Sequence, residues 1–376
     1  MTQANASNTQ AKAKPKPKKK LIQKQANMIR VLYALAPVAL AGVYFFGWRS
    51  LAVLASAIVA GFATEYLTSR QRGQPVSTAC FVTCSLYGLS LPPTIPYWHA
   101  AVGAVVAILF GKEVFGGFGR NFANPAIVGR AFVYVAFPPA LTKGFVPSYQ
   151  GFPGGFARWS MITHGLPEYL DGKIASVADA VSAATPMWAR RDFAYEATWG
   201  DSLNMLLGNI GRTFETQTGQ VRALAAGSIG EVSAAIIILA GIYLIWTKTA
   251  NWRLTLSTLL GATVTNLLFR TLLGYDGVPP LHFTLTAGAM MYAAVFMVTD
   301  PVSGPKQKPA QWAYGFIIGF FIVFLRWRNS FAGAVAFAIL LGNLLAPLLD
   351  EGAKSYDTWK KARAEKSKPA AQGGEA

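Results

Sequence analysis

The feature that most constrains this sequence is a body almost free of charge and divided into apolar runs. Residues 1–30 and 351–376 hold 18 of the 51 charged residues, which leaves about one charge per ten residues in the rest of the 376-residue chain. Soluble domains average ~25% charged residues, whereas this chain has 14%. The apolar runs approach the ~20 residues that cross a bilayer as a helix. The sequence therefore predicts an all-α polytopic membrane protein.

The apolar runs predict about ten transmembrane helices. Segments 77–91 and 126–138 are short and border Pro- and Gly-rich sequence, which is typical of helices that end partway through a membrane and line a site. The placement of Lys and Arg predicts cytoplasmic termini. The one short outer turn that breaks this rule is the turn at 328–329, with Arg326 and Arg328. The ten segments are 30–47, 49–67, 77–91, 97–115, 126–138, 230–247, 253–273, 282–299, 312–327 and 330–349.

These segments divide into two halves of five. Because an odd number of spans inverts a repeated unit, residues 30–138 and 230–350 are expected to form two inverted five-helix halves. Residues 139–229 form a long extracytoplasmic loop in this prediction. Residues 1–29 are rich in Ala, Lys, Pro and Gln and are expected to be a disordered, basic cytoplasmic tail. Residues 351–376 are expected to form a cytoplasmic C-terminal tail.

Several kinds of site find little support in the sequence. Two cysteines rule out a disulfide scaffold, and Cys80 and Cys84 lie on one helical face, where packing is favoured over metal ligation. His99, His164 and His282 are scattered singly, so we expect no metal site. No nucleotide-binding phosphate loop is visible. The net charge of +17 lies mostly in the tails and at the ends of apolar segments. It indicates topology rather than nucleic-acid binding.

Ionisable residues within or beside the predicted spans are functional candidates, because charge inside a bilayer is costly. Snorkelling at a span end is the alternative explanation for several of them. These residues are Glu65, Lys112, Glu113, Arg130, Glu231, Arg270 and Asp300.

Two stretches resemble a known family. Residues 111–132 read GKEVFGGFGRNFANPAIVGRAF, and residues 179–185 read DAVSAAT. Both resemble the NqrB/RnfD family of membrane proteins. NqrB belongs to the Na⁺-translocating NADH:quinone oxidoreductase (Nqr), and RnfD belongs to the related Rnf electron-transport complex. The resemblance extends from about residue 30 to residue 350, and the similar stretches occur in the same order as in the family. Residues 112–117 resemble Nqr more than Rnf. Shorter matches are 91–96, 227–233, 299–303 and 344–350.

The resemblance implies covalently bound FMN. Family members attach FMN through its phosphate to a threonine in the motif D-x-x-[ST]-G-A-T. Asp179, Ser182 and Thr185 match this motif, so Thr185 is the implied attachment residue. Ala183 replaces the motif's glycine, which would slow or prevent attachment if a positive φ is needed there. An ordinary turn before Pro186 is the alternative explanation.

The family also holds a non-covalent riboflavin near an Asn-x-x-Asn-Pro segment, where this chain has Asn121 and Asn124. Carboxamides donate and accept hydrogen bonds, as the edge of a flavin requires, but capping of the fifth helix explains the same residues. Glu113 is the candidate for ion coupling, since a carboxylate there could hold a cation beside a reduced flavin. A simple pair between Glu113 and Lys112 is the alternative.

The implied function is that of a flavin-carrying subunit of an ion-translocating (Na⁺ or H⁺) respiratory complex in the bacterial inner membrane. Electrons would pass through FMN and riboflavin toward quinone in an Nqr-like complex, or between ferredoxin and NAD in an Rnf-like one. Implied partners are the other subunits, a flavin transferase, possible quinone and the lipid bilayer. Segments near 145–175 and between 211 and 227 look inserted relative to the family. A non-redox small-solute channel or transporter is the alternative function.

Overall fold

The computed structural model of the chain describes residues 21–170, 172, 183–328 and 333–366. The described part is mostly helical, and each of the ten apolar segments contains a helix. The first five are α1 (Ala26–Phe46), α2 (Arg49–Gln71), α3 (Thr78–Leu89), α4 (Tyr97–Ile108, extended by a π-helical turn Leu109–Glu113) and α5 (Pro125–Ala136).

Regular structure is already present before the boundary expected at residue 30. Strand β1 (Ile22–Gln23) pairs in parallel with strand β2 (Val76–Ser77). Gln25 Oε1 accepts a hydrogen bond of 3.2 Å from the backbone N–H of Ala79. Residues 21–25 are therefore fixed by their bonds to the start of α3. We call this end of the molecule the strand face.

The long segment after α5 folds as a layer on the opposite end, which we call the loop face. Its apolar side chains form their own cluster, in which Phe145, Met205 and Leu224 join Phe45 and Phe46 at the end of α1. Its elements are α6 (Pro138–Thr142), a 3₁₀ turn (Gly154–Ala157), α7 (Met161–His164), a 3₁₀ turn (Glu168–Leu170), α8 (Pro186–Phe193), α9 (Trp199–Leu207) and the hairpin of β3 (Thr213–Glu215) and β4 (Val221–Ala223).

The second half contains a broken helix that the sequence did not predict. The segment expected at 282–299 is interrupted at residues 287–289, where Gly288 has a φ of 62°. The last helix runs to Lys366, so residues 351–366 of the expected tail are helical, in keeping with their Ala, Lys, Glu and Arg content. The helices are α10 (Ala234–Trp246), α11 (Trp252–Leu267, extended by a π-helical turn Leu268–Leu272), α12 (Leu281–Thr286), α13 (Met290–Tyr292, extended by a π-helical turn Ala293–Met297), α14 (Lys308–Arg328) and α15 (Ala334–Lys366).

Helix length separates two classes of segment. Among the described residues, four helices are long and apolar enough to cross a membrane by themselves: α1, α2, α14 and α15. Helices α3 and α5 have 12 residues each, or about 18 Å at ~1.5 Å per residue. This is short of the ~30 Å hydrocarbon core. The lengths agree with helices that end partway through a bilayer, and ten complete crossings stay a prediction.

Helices α11 and α14 approach closely because glycines line their contact. A Cβ at Gly319 would lie 2.2 Å from the carbonyl oxygen of Thr258 and 2.6 Å from the backbone nitrogen of Ala262. On the other helix, a Cβ at Gly261 would lie 2.3 Å from the carbonyl oxygen of Phe316. Small residues at such contacts allow the backbones of membrane helices to pack directly. The second half depends on this contact.

We expect Gly319→Val to destabilise the protein by about 3 kcal/mol, because the new side chain collides with backbone rather than with a flexible side chain. Thermal unfolding of the detergent-solubilised protein measures the loss. Gly352→Val is the matched control, since a Cβ at Gly352 has nothing within 4 Å. Equal midpoints for the two variants would contradict the close α11–α14 contact.

Candidate functional site

A cavity of about 320 Å³ lies between the loop-face layer and the helices. Its volume falls in the range of ~300–1,000 Å³ that is usual for ligand pockets. Residues distant in sequence line it, and we call it the loop-face cavity. Its polar and charged lining residues are Arg130, Thr142, Lys143, Thr185, Arg191, Asp192, Glu231, Thr286 and Arg326.

Thr185, the predicted attachment residue, lines this cavity and is the N-cap of α8. Its Oγ1 accepts a hydrogen bond of 3.4 Å from the backbone N–H of Trp188. The preceding residue, Ala184, forms an isolated bridge with Leu224, and its carbonyl accepts from Ala225 at 2.9 Å. The hydroxyl of Thr185 is therefore held in a fixed, half-buried position.

The structure describes only part of the rest of the predicted flavin motif. Asp179 and Ser182 lie outside the described residues. Ala183, at the place of the family's glycine, is buried. The φ angle of Ala183 is defined partly by Ser182, so the backbone conformation at this position lies outside the described residues.

Two charged residues of α8 share the cavity wall with Thr185. Arg191 Nε donates to Asp192 Oδ1 at 2.5 Å, and the indole N–H of Trp188 donates to the same carboxylate. The hydrogen bond from Arg191 holds the pKa of Asp192 below its usual range. Lys143 is a third charged residue on this wall.

Positive charge exceeds negative charge elsewhere in the cavity. Arg130 on α5 has an Nη1 atom that finds no hydrogen-bond partner among the described residues. Arg326 on α14 donates to the carbonyl of Thr284 at 3.5 Å. Glu231 is a carboxylate that interacts electrostatically with both arginines. It accepts a hydrogen bond of 2.7 Å from the backbone N–H of Ser228. Since a buried guanidinium N–H without an acceptor is costly, the cavity is suited to an anionic or acceptor-rich ligand.

Arg130 and Glu231 were functional candidates from the sequence, whereas Arg326 was missed as a site residue. The sequence feature that could have identified Arg326 is its position beside the one short outer turn that has basic residues. The structure brings these three residues and Thr185 around one cavity.

A smaller cavity of about 70 Å³ lies at the strand face. Asn121 and Asn124 both line it, together with Lys112, Phe296 and Asp300. It is well below the ~300 Å³ lower end of usual ligand pockets. As arranged, these residues do not fit a ring system the size of riboflavin.

Asn124 has a structural role. Its Oδ1 accepts from the backbone N–H of Ala126 at 3.0 Å, which caps α5. Its Nδ2 donates to the carbonyl of Met297, and its backbone N–H donates to Asn343 Oδ1, both at 3.0 Å. Asn121 Nδ2 donates to the carbonyl of Ala123 at 3.1 Å. The capping explanation therefore holds for Asn124.

A pair between Glu113 and Lys112, the alternative considered from the sequence, is wrong. Lys112 Nζ instead donates to Glu65 Oε2 at 2.5 Å and to Ser77 Oγ at 2.6 Å. Glu113 accepts from Arg72 and from Thr68 Oγ1. Adjacent residues on a helical turn point in different directions, so they seldom pair with each other. Both acids are buried, and Glu113 does not line the strand-face or the loop-face cavity.

Cys84 and His282 pack against neighbouring side chains and backbone. Cys84 lies against α2, because a Cβ at Gly61 would be 2.2 Å from its Sγ. His282 Nδ1 is 2.7 Å from Ser202 Oγ, and its ring stacks on Trp199. In the described ranges, no three His, Cys, Asp or Glu residues are grouped so that they could hold a metal.

Comparison with known proteins gives a family match over most of the chain. The model of the NQR2, RnfD, RnfE family matches residues 12–357. The B component (NqrB) of the Na(+)-translocating NADH-quinone reductase of Pseudoalteromonas atlantica is 36% identical over 302 residues, which cover 78% of this chain and 63% of that protein. The D component (RnfD) of the ion-translocating oxidoreductase complex of Aeromonas hydrophila is 32% identical over 354 residues, which cover 87% of this chain and 92% of that protein.

The two kinds of relative differ in length. The chain spans 63–64% of the length of the NqrB relatives from Pseudoalteromonas atlantica and Azotobacter vinelandii. It spans 92% of the length of the RnfD relative. The identities overlap, at 32–36% for the NqrB relatives and 32–33% for the RnfD relatives, whereas the length of the chain is nearer to that of RnfD.

We expect Lys112→Met to destabilise the protein by about 3–5 kcal/mol, because it leaves Glu65 buried without a counter-charge. The side chains of Lys112 and Glu65 are 2% and 1% exposed. The double variant Lys112→Met with Glu65→Gln should recover part of this loss, and thermal unfolding measures all three proteins. No recovery in the double variant would contradict a direct Lys112–Glu65 pair.

Proposed function

The chain belongs to the NQR2, RnfD, RnfE family, and on this basis we propose that it is the flavin-carrying membrane subunit of an ion-translocating electron-transfer complex. In this proposal the complex is of the Nqr or Rnf type and lies in the bacterial inner membrane, with both termini of the chain cytoplasmic. One observation carries it: Thr185, at the family's attachment position, lines a 320 Å³ cavity with an excess of positive charge.

The residues of the loop-face cavity fit covalent FMN. The hydroxyl of Thr185 would form the phosphoester, whose remaining negative charge suits the N-terminus of α8 and the nearby Lys143. Arg130 and Arg326 would supply hydrogen-bond donors for the acceptor atoms of the flavin ring. When bound, FMN would supply one- and two-electron transfer. The chain's own residues would bind, orient and enclose it.

Two finer parts of the proposal each require a local movement. Riboflavin at the strand face would require the walls around Asn121 to move apart, because the cavity there is small. Glu113 as the ion-coupling residue would have to release Arg72 before its carboxylate could hold a cation.

The positions of the two cavities support two inverted halves. The strand-face cavity includes residues 121, 124 and 125 at the start of α5, and the loop-face cavity includes residues 333–336 at the start of α15. These are the fifth helices of the two proposed halves, and the cavities lie on opposite faces, as inversion requires. The residues before them are also alike, RNFANPA at 120–126 and RNSFAGA at 328–334.

The proposed partners follow from this arrangement. Other subunits of the complex would deliver and accept electrons, with quinone as the acceptor if the complex is Nqr-like. A flavin transferase would reach Thr185 from the side of the loop face, which we assign as extracytoplasmic.

Thr185→Val should abolish covalent flavin, because it removes the hydroxyl and nearly preserves shape. Thr185→Ser, which keeps a hydroxyl, is the matched control and should retain it. Flavin fluorescence of the band after SDS electrophoresis measures attachment, since only covalently bound flavin survives denaturation. Fluorescence that persists in Thr185→Val would reject Thr185 as the attachment residue.

The same assay separates the redox function from a non-redox channel or transporter. A wild-type complex with no fluorescent band would favour the channel. Ala183→Gly restores the glycine of the family motif, and a stronger band in this variant than in the wild type would show that the alanine limits attachment.

The proposed orientation predicts opposite labelling of two exposed positions. Thr218 lies in the loop-face hairpin and Lys308 at the strand-face end of α14. In right-side-out vesicles, an impermeant maleimide should label Thr218→Cys and should label Lys308→Cys only after lysis. The buried Cys80 and Cys84 make the wild type a suitable blank. The reverse pattern would overturn the orientation.

A further inference from the structure

An aromatic cluster is exposed on the loop face beside the end of α1. It lies in residues 149–162, which we call the aromatic loop, together with the neighbouring Trp48. Phe152 is 93% exposed, and Phe156, Trp159 and Trp48 are each 40% or more exposed. A contiguous patch of exposed large apolar rings marks a surface that contacts something other than water.

The aromatic loop is held rigidly against the turn between α1 and α2. The backbone N–H groups of Trp48 and Arg49 donate to the carbonyls of Arg158 and Trp159, at 3.2 and 2.9 Å. The indole N–H of Trp48 donates to the carbonyl of Phe156 at 2.8 Å. A Cβ at Gly155 would lie 2.3 Å from the carbonyl of Val43, so the loop backbone abuts the helix directly.

These bonds fix the depth of the loop in the membrane. Helix α1 has 21 residues, or about 31 Å at ~1.5 Å per residue. This matches the ~30 Å hydrocarbon core. Residues 47–49 therefore lie at the membrane boundary on the loop face, and the aromatic loop lies at the same level.

The loop also continues a lipid-facing stripe of α1. Tyr33 and Leu40 are 66% and 61% exposed, as expected for side chains that face hydrocarbon. Tyr44, one turn beyond Leu40, contacts the ring of Phe156 with centroids 5.7 Å apart. Its hydroxyl donates to the carbonyl of Gly151 at 3.2 Å. The apolar surface of α1 thus runs without interruption into the aromatic loop.

The charge around the loop suits phospholipid headgroups. No Asp or Glu occurs between Glu113 and Glu168. The guanidinium of Arg158 lies 4.9 Å from the ring centroid of Tyr149. Aromatic rings combined with cations, in a stretch of sequence free of acids, are typical of membrane–water interfaces.

We propose that the aromatic loop inserts into the headgroup region of the leaflet on the loop face, with phospholipid as its occupant. Phe152 enters deepest, and Trp48 and Trp159 lie at the level of the headgroups. A neighbouring subunit could cover the same rings. Lipid is favoured because the patch is continuous with the lipid-facing stripe of α1.

A spin label at residue 152 tests the proposal in the assembled complex, reconstituted in phosphatidylglycerol–phosphatidylcholine nanodiscs. Phe152→Cys is labelled and its relaxation measured with oxygen, which concentrates in lipid, and with a water-soluble nickel chelate. Thr218→Cys, on the exposed hairpin, is the matched aqueous control. Unlabelled wild type gives the background.

We expect the ratio of oxygen to nickel accessibility to be several-fold higher at residue 152 than at residue 218. Equal ratios at the two positions would show that the loop is in water and would overturn the proposal. Low accessibility to both reagents at residue 152 would show that protein covers the loop, and would overturn it as well.

Discussion

The architecture depends on one constraint: helices that stop inside a membrane must have their last carbonyls bonded within the protein. Helix α3 ends at Leu89 after 12 residues. The carbonyl of Leu89 accepts from the backbone N–H of Gly230 at 2.7 Å, and that of Leu91 accepts from Ile229 at 3.0 Å. The carbonyl of Leu86 accepts from the hydroxyl of Tyr292. All three donors belong to the second half or its entry, so the first half is incomplete without it. In hydrocarbon each unbonded carbonyl would cost several kcal/mol.

At the strand face, the end of a second interrupted helix is also bonded within the protein. The π-helical turn after α13 ends at Met297, whose carbonyl accepts from Asn124 Nδ2. Asn343 holds the backbone of Asn124 and donates to the hydroxyl of Tyr314 at 2.6 Å. The strand-face cavity lies where this broken helix ends, and the loop-face cavity adjoins the entry to α10 that meets the end of α3. The end of each interrupted helix therefore borders a cavity with polar lining residues.

Apolar runs predicted the helices well because length and hydropathy are local properties. The short lengths of α3 and α5 were visible in the same way, through flanking Pro and Gly. The break at 287–289 was not visible, since a single glycine in an apolar run is compatible with a continuous helix. The pair of Lys112 with Glu113, considered as an alternative, was wrong because the partner of Lys112 is Glu65, which lies 47 residues away. The loop-face cavity could not be predicted for the same reason: Arg130, Thr185 and Arg326 meet only in the folded chain.

Whether Thr185 carries FMN is tested most directly by mass spectrometry of the tryptic peptide 174–190, which contains it. The purified wild-type complex should yield this peptide heavier by FMN less one water, with the added mass assigned to Thr185 by fragmentation. An unmodified peptide from an electron-transferring complex, or a flavin assigned to another residue, would contradict the proposed function of the loop-face cavity.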